Sequence, residues 1–463
     1  MVTVLVMTST STSRAPQWTN WARTTTCTPS QIIEPLDEAE VRSAVLAAAA
    51  RREHVRTVGA GHSFTPAVTT SGTLLRLDHL DQLERLEPLP DGGSLVTVGA
   101  GIRLHALNTL LAQNGLAMVN LGDIDRQSLA GALSTGTHGT GGRLTGLTAL
   151  VHGVRVLTAD GSVIEADAQT HPGLFEAARL GLGTVGVLLA VTLRTSAAYT
   201  LTAQEEPWAL DAVLDGLTGP GNLVDTNDHF EFYWFPHTRR TLTKRNNRGP
   251  ARTAAQGLLD GGAGLSPWAR TRRWVDDELL SNGVFTLTSE LGHRVPSTIR
   301  RVNQVAARAL APRTYTAPSH EVFITARRVR FREMEYAIPR ADLPEVLGEI
   351  DRWIEASGER VSFPVEVRFA APDDVWLSTA YQRESAYIAI HQFVRTPYER
   401  YFSGVETILR RAEGRPHWGK LHTLGAAQLR DLYPRFDDFQ AVRRAHDPAG
   451  LFSNAYTRRV FGD

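Results

Sequence analysis

Val58-Gly59-Ala60-Gly61-His62-Ser63-Phe64, read together with Ser134-Thr135-Gly136-Thr137-His138-Gly139-Thr140-Gly141-Gly142, decides the fold of this chain. Both stretches are built of small residues, rich in glycine, and carry a histidine. The first follows a strand-like run, Val55-Arg56-Thr57-Val58. Glycine lets the backbone turn through positive φ and lets successive N–H groups approach an anion closely. A diphosphate-bearing ligand suits such a pair of loops, and the two histidines stand where a second part of that ligand can reach them.

A strand followed by G-x-G, with Asp78 about twenty residues on, is the opening of a dinucleotide-binding Rossmann unit. The third glycine of that fingerprint falls on Phe64, Pro66 follows, and residues 65–73 carry no helical period of apolar residues. No helix N-terminus is therefore offered to a pyrophosphate, as that fold requires. Alone, Gly59-Ala60-Gly61 is a tight turn. The second glycine cluster and the histidines make it more than that.

The whole chain narrows the classes. Its 463 residues suggest two or three domains. Lys and Arg together number 49, as do Asp and Glu, so the formal net charge is zero. A nucleic-acid partner calls for a basic excess or stripe, and none is expected here. No run of apolar residues is long enough to span a bilayer. The apolar start, Met1 to Met7, lacks a basic n-region and a cleavage site, which argues against a signal peptide. The single cysteine, Cys27, can form no internal disulfide, which fits a reducing cytoplasm. No metal is expected: cysteine clusters are absent, and His391, His417 and His422 are not at helical ligand spacing.

Along the chain, residues 1–16 read as disordered. Asp37 with Glu40 forms a capping box for a helix whose apolar face carries Val41, Val45 and Leu46. Strands are expected at Val55 to Val58, Leu74 to Leu77 and Leu95 to Val98. A helix over 103–114 ends at Gly115. Asp160-Gly161 between Val154 to Leu157 and Val163-Ile164 marks a hairpin. After a further glycine-rich turn, Gly181 to Gly186, an apolar strand runs from Val187 to Leu193. Past residue 197 the glycine clusters give way to aromatic and charged strands such as His229 to Phe235. Residues 246–267 read as a long surface loop. Strands are expected over 320–338, 362–370 and 385–394, and helices over 341–356 and 398–412. This is an α+β chain: an antiparallel sheet with helices on one face follows the glycine-rich part.

Three polar groups stand out in the second half. Glu366 and Arg368 alternate within a strand-like run and so share a face. By themselves they make an ordinary ion pair. His391 lies among Ala389, Ile390 and Phe393, where a lone histidine is usually a satisfied core residue. Arg415-Pro416-His417-Trp418-Gly419-Lys420 gathers an imidazole, an indole and an ammonium in a loop, where functional residues often sit.

Together these pieces resemble the flavin-dependent sugar-lactone and polyol oxidoreductases, whose FAD domain is of the vanillyl-alcohol-oxidase (PCMH) type. The resemblance runs from Trp18 to the C-terminus. It rests on Gly59 to Ser63, Thr137 to Gly141, Met334-Glu335-Tyr336-Ala337-Ile338-Pro339, Glu366-Val367-Arg368, His417-Trp418-Gly419-Lys420 and Phe452 to Arg459. The aldonolactone oxidases and dehydrogenases are the nearer subfamily, with bacterial L-gulono-1,4-lactone dehydrogenases closest and alditol oxidases further away. The resemblance implies a two-lobed FAD domain over 1–197, a substrate (cap) domain over 198–419 and a segment, 420–463, that returns to the FAD domain.

Site residues follow from the same resemblance. His62 matches the histidine that bonds covalently to the flavin 8α-methyl group. Thr57, Val58, Gly59, Ala60, Gly61, Ser63, Ser128, Leu133, Gly136, Thr137, His138, Gly139, Thr140, Val187 and His417 match FAD contacts. Ser128, Glu366, Arg368 and Lys420 match substrate-contacting residues, and His391 a nearby histidine. Alditol oxidases carry a threonine two residues beyond that histidine, where this chain has Phe393.

The chemistry expected is hydride transfer from a carbinol carbon to the flavin, the protein supplying orientation and charge. Arg368 and Lys420 would stabilise developing alkoxide. Lys420 would serve as base if burial beside Arg368 lowered its pKa, with His391 or His417 as the alternative. The expected substrate is an aldono-1,4-lactone such as L-gulono-1,4-lactone, giving a 2-keto, ascorbate-type product. Oxygen, yielding hydrogen peroxide, or another acceptor takes the electrons. An alditol such as xylitol or sorbitol is the alternative substrate. A flavin- or sugar-binding protein without turnover is the alternative of another class.

Overall fold

The computed structural model describes residues 16–249, 284–324 and 329–463. The disorder expected over 1–16 falls, apart from Pro16, outside them. So does the expected loop beyond residue 249. Its first residues, 246–248, end the strand Arg240–Arg248 instead.

The first lobe is a small parallel sheet. Gln31–Ile33, Thr73–Arg76 and Val55–Val58 lie side by side in that order. Parallel neighbours need a crossover, and the helix Glu38–Ala50 supplies one, burying Val41, Val45 and Ala48 against the sheet. Asp37 caps it by accepting a hydrogen bond from Glu40 N at 2.8 Å. The Glu40 carboxylate takes Leu36 N (2.9 Å) rather than Asp37 N, so the capping box closes one residue early.

An antiparallel sheet forms the second lobe, in the order Val163–Asp167, Val151–Leu157, Val187–Ala197, Ser94–Gly99, Leu83–Pro88. The expected hairpin at Asp160-Gly161 joins the first two strands, with Gly161 at φ +82°. The helix Leu104–Gln113 ends before Gly115, at φ +71°, as its sequence predicts.

The third unit is an eight-stranded antiparallel sheet: Arg313–Pro318, Thr200–Ala209, Arg240–Arg248, His229–Phe235, Val365–Ala370, Ser385–Phe393, Phe331–Pro339, Arg415–Pro416. Strand was expected from residue 320, but Ser319–Phe323 is a helix and the strand starts at Phe331. The adjacent strands His229–Phe235, Val365–Ala370, Ser385–Phe393 and Phe331–Pro339 are largely buried on both faces, and alternation sorts their residues. One face carries Phe230, Phe232, Trp234, Val365, Val367, Ile388, Ile390, Met334 and Tyr336, all in the main core. The helices Leu343–Ser357 and Glu399–Arg411 pack together, and Tyr336 Oη donates to Glu406 of the second at 2.5 Å. The opposite face carries charge.

The C-terminal segment fastens the first lobe. Val55 N donates to Leu451 O (2.9 Å), and the buried Arg56 guanidinium holds the carbonyls of Phe452 and Leu182. Asn454 caps the helix Ala455–Phe461 and donates to the carbonyls of Pro66, Ala67 and Thr69 at 2.9–3.0 Å. Replacing Asn454 with Ala removes a cap and leaves those carbonyls bare, so stability should fall by about 2 kcal/mol. An unchanged urea midpoint would show the clamp to be dispensable.

Candidate functional site

Between the two lobes runs a cleft of about 960 Å³ including its mouth. Thr57, Val58, Gly59, Ala60, Gly61, His62, Ser63 and Ser128 line it, with Ser134, Thr135 and residues 182–183. The glycines fit a ligand pressed against backbone. A Cβ on Gly59 would lie 2.1 Å from Ser128 Oγ, and Gly61 adopts φ +66°. No helix follows Gly61, so the anion would meet turn N–H groups rather than a helix end, as the sequence indicates. Leu133 and Val187 are buried in the cores beside the cleft.

Gly136 to Thr140 lie beyond the lining of this cleft and dock on the charged face of the large sheet. Gly141 N donates to Phe369 O (2.8 Å), and Phe369 N donates to Thr140 Oγ1 (3.1 Å). His138 stacks on Tyr387, centroids 3.6 Å apart, and its Nε2 meets Glu335 Oε1 at 3.1 Å. A Cβ on Gly139 would clash with Asn120, so this loop needs glycine to sit so low.

Strand register assembles the charged face. Glu366 pairs across to Tyr233 and Ala389, Arg368 to Tyr387, and Glu333 to His391. Arg368 binds Glu366, Glu231 (3.0 Å) and Asp123 (3.4 Å). Tyr233 Oη donates to Glu366 at 3.2 Å, and Lys244 binds Glu231 at 3.2 Å. At the other end Lys420 Nζ lies 2.5 Å from Glu333 and 3.9 Å from Glu335. His391 Nε2, buried and without a hydrogen-bond partner, is 3.6 Å from the same Glu333 oxygen.

His417, Trp418, Gly419 and Lys420 form a turn that joins this face to the cleft. His417 N donates to Glu335 O (3.0 Å), Gly419 N to His417 Nδ1 (3.0 Å), and Phe64 N to Gly419 O (2.8 Å). His62 stacks on Trp21, centroids 5.3 Å apart. Lys420 Nζ lies 5.4 Å over the Phe64 ring. The turn and the His62 loop thus share a backbone bond.

Electrostatics separate the roles. Burial would lower the Lys420 pKa, but Glu333 and Glu335 more than offset it and hold it above the ordinary lysine value. The condition set for Lys420 as base, a pKa lowered beside Arg368, is therefore not met. Lys420 stays a cation. Burial would raise Glu333 and Glu335, yet Lys420 and His138 respectively lead the charges that keep both ionised. Arg368 is likewise held charged by Glu366, Asp123 and Glu231 against its burial. Burial, then Lys420, pulls His62 down to about 4, leaving a neutral imidazole. Burial brings His417 to about 3. His138, Glu335 and His417 bring ligand atoms within 4.8 Å of one another. Both His138 nitrogens, Glu335 Oε1 and His417 Nδ1 are already engaged and Lys420 stands beside them, so no metal is assigned.

Sequence reasoning missed Glu231, Glu333 and Asp123 and did not weigh Glu335 as a site residue. The signal was available for the glutamates. Glu333-x-Glu335, and Glu231 between Phe230 and Phe232, put acids at alternate positions of otherwise apolar strands.

Two glycine-lined lobes over a charged sheet face define an FAD-dependent oxidoreductase. Residues 29–167 match an FAD binding domain, and residues 191–460 match the D-arabinono-1,4-lactone oxidase family. The chain belongs to that family. It is 40% identical over 448 residues to L-gulono-1,4-lactone dehydrogenase of Mycobacterium tuberculosis, covering 97% of this chain and all of the relative. It is 31% identical to L-gulonolactone oxidase of Bos taurus, covering 96% and 97% of the two chains. To alditol oxidase of a Streptomyces species it is 30% identical, covering 95% and 98%. Cholesterol oxidase from Brevibacterium sterolicum shares the fold, with a TM-score of 0.72 at 16% identity over 96% of each chain.

Gly59→Ala should lower the FAD content of purified protein several-fold, and the added Ser128→Ala change should recover part of it. Full loading of the single variant would show that the close approach at Gly59 is not required. Acid should destabilise the fold through its buried histidines. His62, His417 and His422 titrate near 6.5 when unfolded and near 3–4 when folded. Between those values these three histidines bind protons only in the unfolded chain, so the midpoint temperature should fall as pH drops from 6.5 toward 3.

Proposed function

We propose that this protein oxidises an aldono-1,4-lactone, L-gulono-1,4-lactone being the first to test, at its C2 hydroxyl. The single observation that supports this reading is the turn bearing Lys420, which is bonded to the His62 loop through Gly419 and Phe64 and meets the sheet face that carries Glu333, His391, Glu366 and Arg368. Bound FAD supplies the hydride acceptor. Gly59 to Ser63 and Ser128 would hold it, with residues 136–140 and His417 as its further contacts in this reading.

The residues of the chain do the rest. Lys420, a fixed cation, stabilises the hydroxyl oxygen as it gains negative charge. Arg368 holds the substrate's other oxygens. Glu366, bonded to Tyr233, accepts from its remaining hydroxyls. His391 takes the hydroxyl proton at Nε2, which has no partner at hydrogen-bond distance, and the charge it gains faces the Glu333 carboxylate 3.6 Å away. His417 is the poorer base, since its Nδ1 already accepts from Gly419 and burial depresses its pKa. Ser128 completes the substrate contacts.

His62 tethers the flavin covalently in this reading. A neutral imidazole has a free lone pair for that bond, and burial keeps His62 neutral. Electrons leave to oxygen, giving hydrogen peroxide, or to another acceptor. The domain limits 1–197, 198–419 and 420–463 and a cytoplasmic location belong to the same reading. The first of those limits is supported by the sheet change between Ala197 and Thr200; among the described residues no helix is long and apolar enough to cross a membrane.

Anaerobic addition of L-gulono-1,4-lactone should bleach the flavin absorbance, and admitted air should report oxygen reactivity. Bleaching by xylitol or sorbitol with none by any lactone would overturn the reading in favour of an alditol oxidase. Acid-precipitated protein should stay yellow, while His62→Ala should release flavin to the supernatant. Free flavin from the loaded, unsubstituted protein would refute the tether.

A further inference from the structure

The chain carries 47 arginines and two lysines, Lys244 and Lys420. Its surface ion pairs are made by arginine. Both lysines instead lie on the charged sheet face, each against a buried glutamate: Lys244 on Glu231 and Lys420 on Glu333. Arginine is a wide planar fork, whereas lysine is a compact point charge that follows its surroundings. A chain that uses arginine nearly everywhere keeps lysine at 420, where one partner oxygen lies 2.5 Å away.

We infer that Glu333 is a positioning residue of the oxidation: it fixes Lys420 at the reacting oxygen and holds it permanently charged. The inference rests on the role given to Lys420 above. Glu333 is fixed by its strand, directly opposite His391, and is 6% exposed. The groups facing Lys420 are Glu333 and Glu335 from the strand Phe331–Pro339, His391 across it, His417 in its own turn, His138 from the glycine loop, His62 with the Phe64 ring, and Asp123. Glu335 is 3.9 Å from Lys420 and is shared with His138, so it cannot replace Glu333. Removing the Glu333 charge leaves the buried ammonium with only the more distant Glu335, shared with His138, and Asp123, so its burial is less fully offset and the neutral form gains. A neutral lysine cannot stabilise an alkoxide.

Glu333→Gln keeps the shape and removes the charge. In the flavin-loaded protein the rate of anaerobic reduction should fall at least tenfold at pH 9 and acquire an alkaline loss that the unsubstituted protein lacks. Glu333→Asp should restore part of the rate and move the loss back to higher pH. Lys420→Met with Glu333→Gln should be no slower than Lys420→Met alone, because both act through one group. A readout independent of turnover uses the scarcity of lysine. Amine acylation at pH 9, mapped by mass spectrometry on protein without substrate, should spare Lys420 in the original and label it in Glu333→Gln. An unchanged pH profile, additive losses, or equal labelling overturns the inference. If Glu333→Gln does not fold, Glu333→Asp and the double variant decide by the same measures. Normal reduction in Lys420→Met alone would instead sink the role of Lys420 itself.

Discussion

A carboxylate taken from water into a protein interior loses several kcal/mol of solvation, even after relaxation. This chain buries Glu231, Glu333, Glu335 and Glu366 on one sheet face. Such a face is tolerable only when each carboxylate meets a cation or a donor of good geometry. Here Arg368 serves Glu231 and Glu366, Lys244 serves Glu231, and Lys420 serves Glu333. His138 reaches in from another part of the chain to Glu335. The docking of the glycine loop 134–142 is thus tied to the charge pattern of the sheet.

The reverse dependence holds as well. The turn 417–420 presents Lys420 to the face and gives a carbonyl to Phe64, two residues beyond His62. Asn454 clasps the next residues of that loop, and Arg56 binds the strand before it to Phe452. The cleft wall is therefore held from both sides by the last third of the sequence. The glycine-lined cleft and the charged sheet face, far apart in the chain, thus meet along one seam.

Much of this was legible beforehand. The crossover helix, the hairpin at Asp160-Gly161 and the aromatic strand His229–Phe235 follow from capping, turn chemistry and alternation. Glycine at 59 and 61 and the missing glycine at Phe64 excluded a Rossmann unit. Glu366 and Arg368 share a face because a strand has period two. The helix Ser319–Phe323 was not legible, since five residues are too few for a helical period to show. The charge state of Lys420 stayed open for a different reason: its neighbours, Glu333 and Glu335, are remote in sequence and arrive only through the fold.

By itself the sequence determined local conformation and the kinds of chemistry available: where the backbone must turn, which residues share a face, and that histidines, a lysine and an arginine with its acid recur in a few motifs. These are consequences of covalent geometry and side-chain type, and they act over a handful of residues. The tertiary structure alone decided which charges meet. Whether Lys420 is a base or a fixed cation, and whether His62 is neutral, depends on burial and on partners up to hundreds of residues away. Coulomb interactions and desolvation depend on distance in space, which only the folded chain defines.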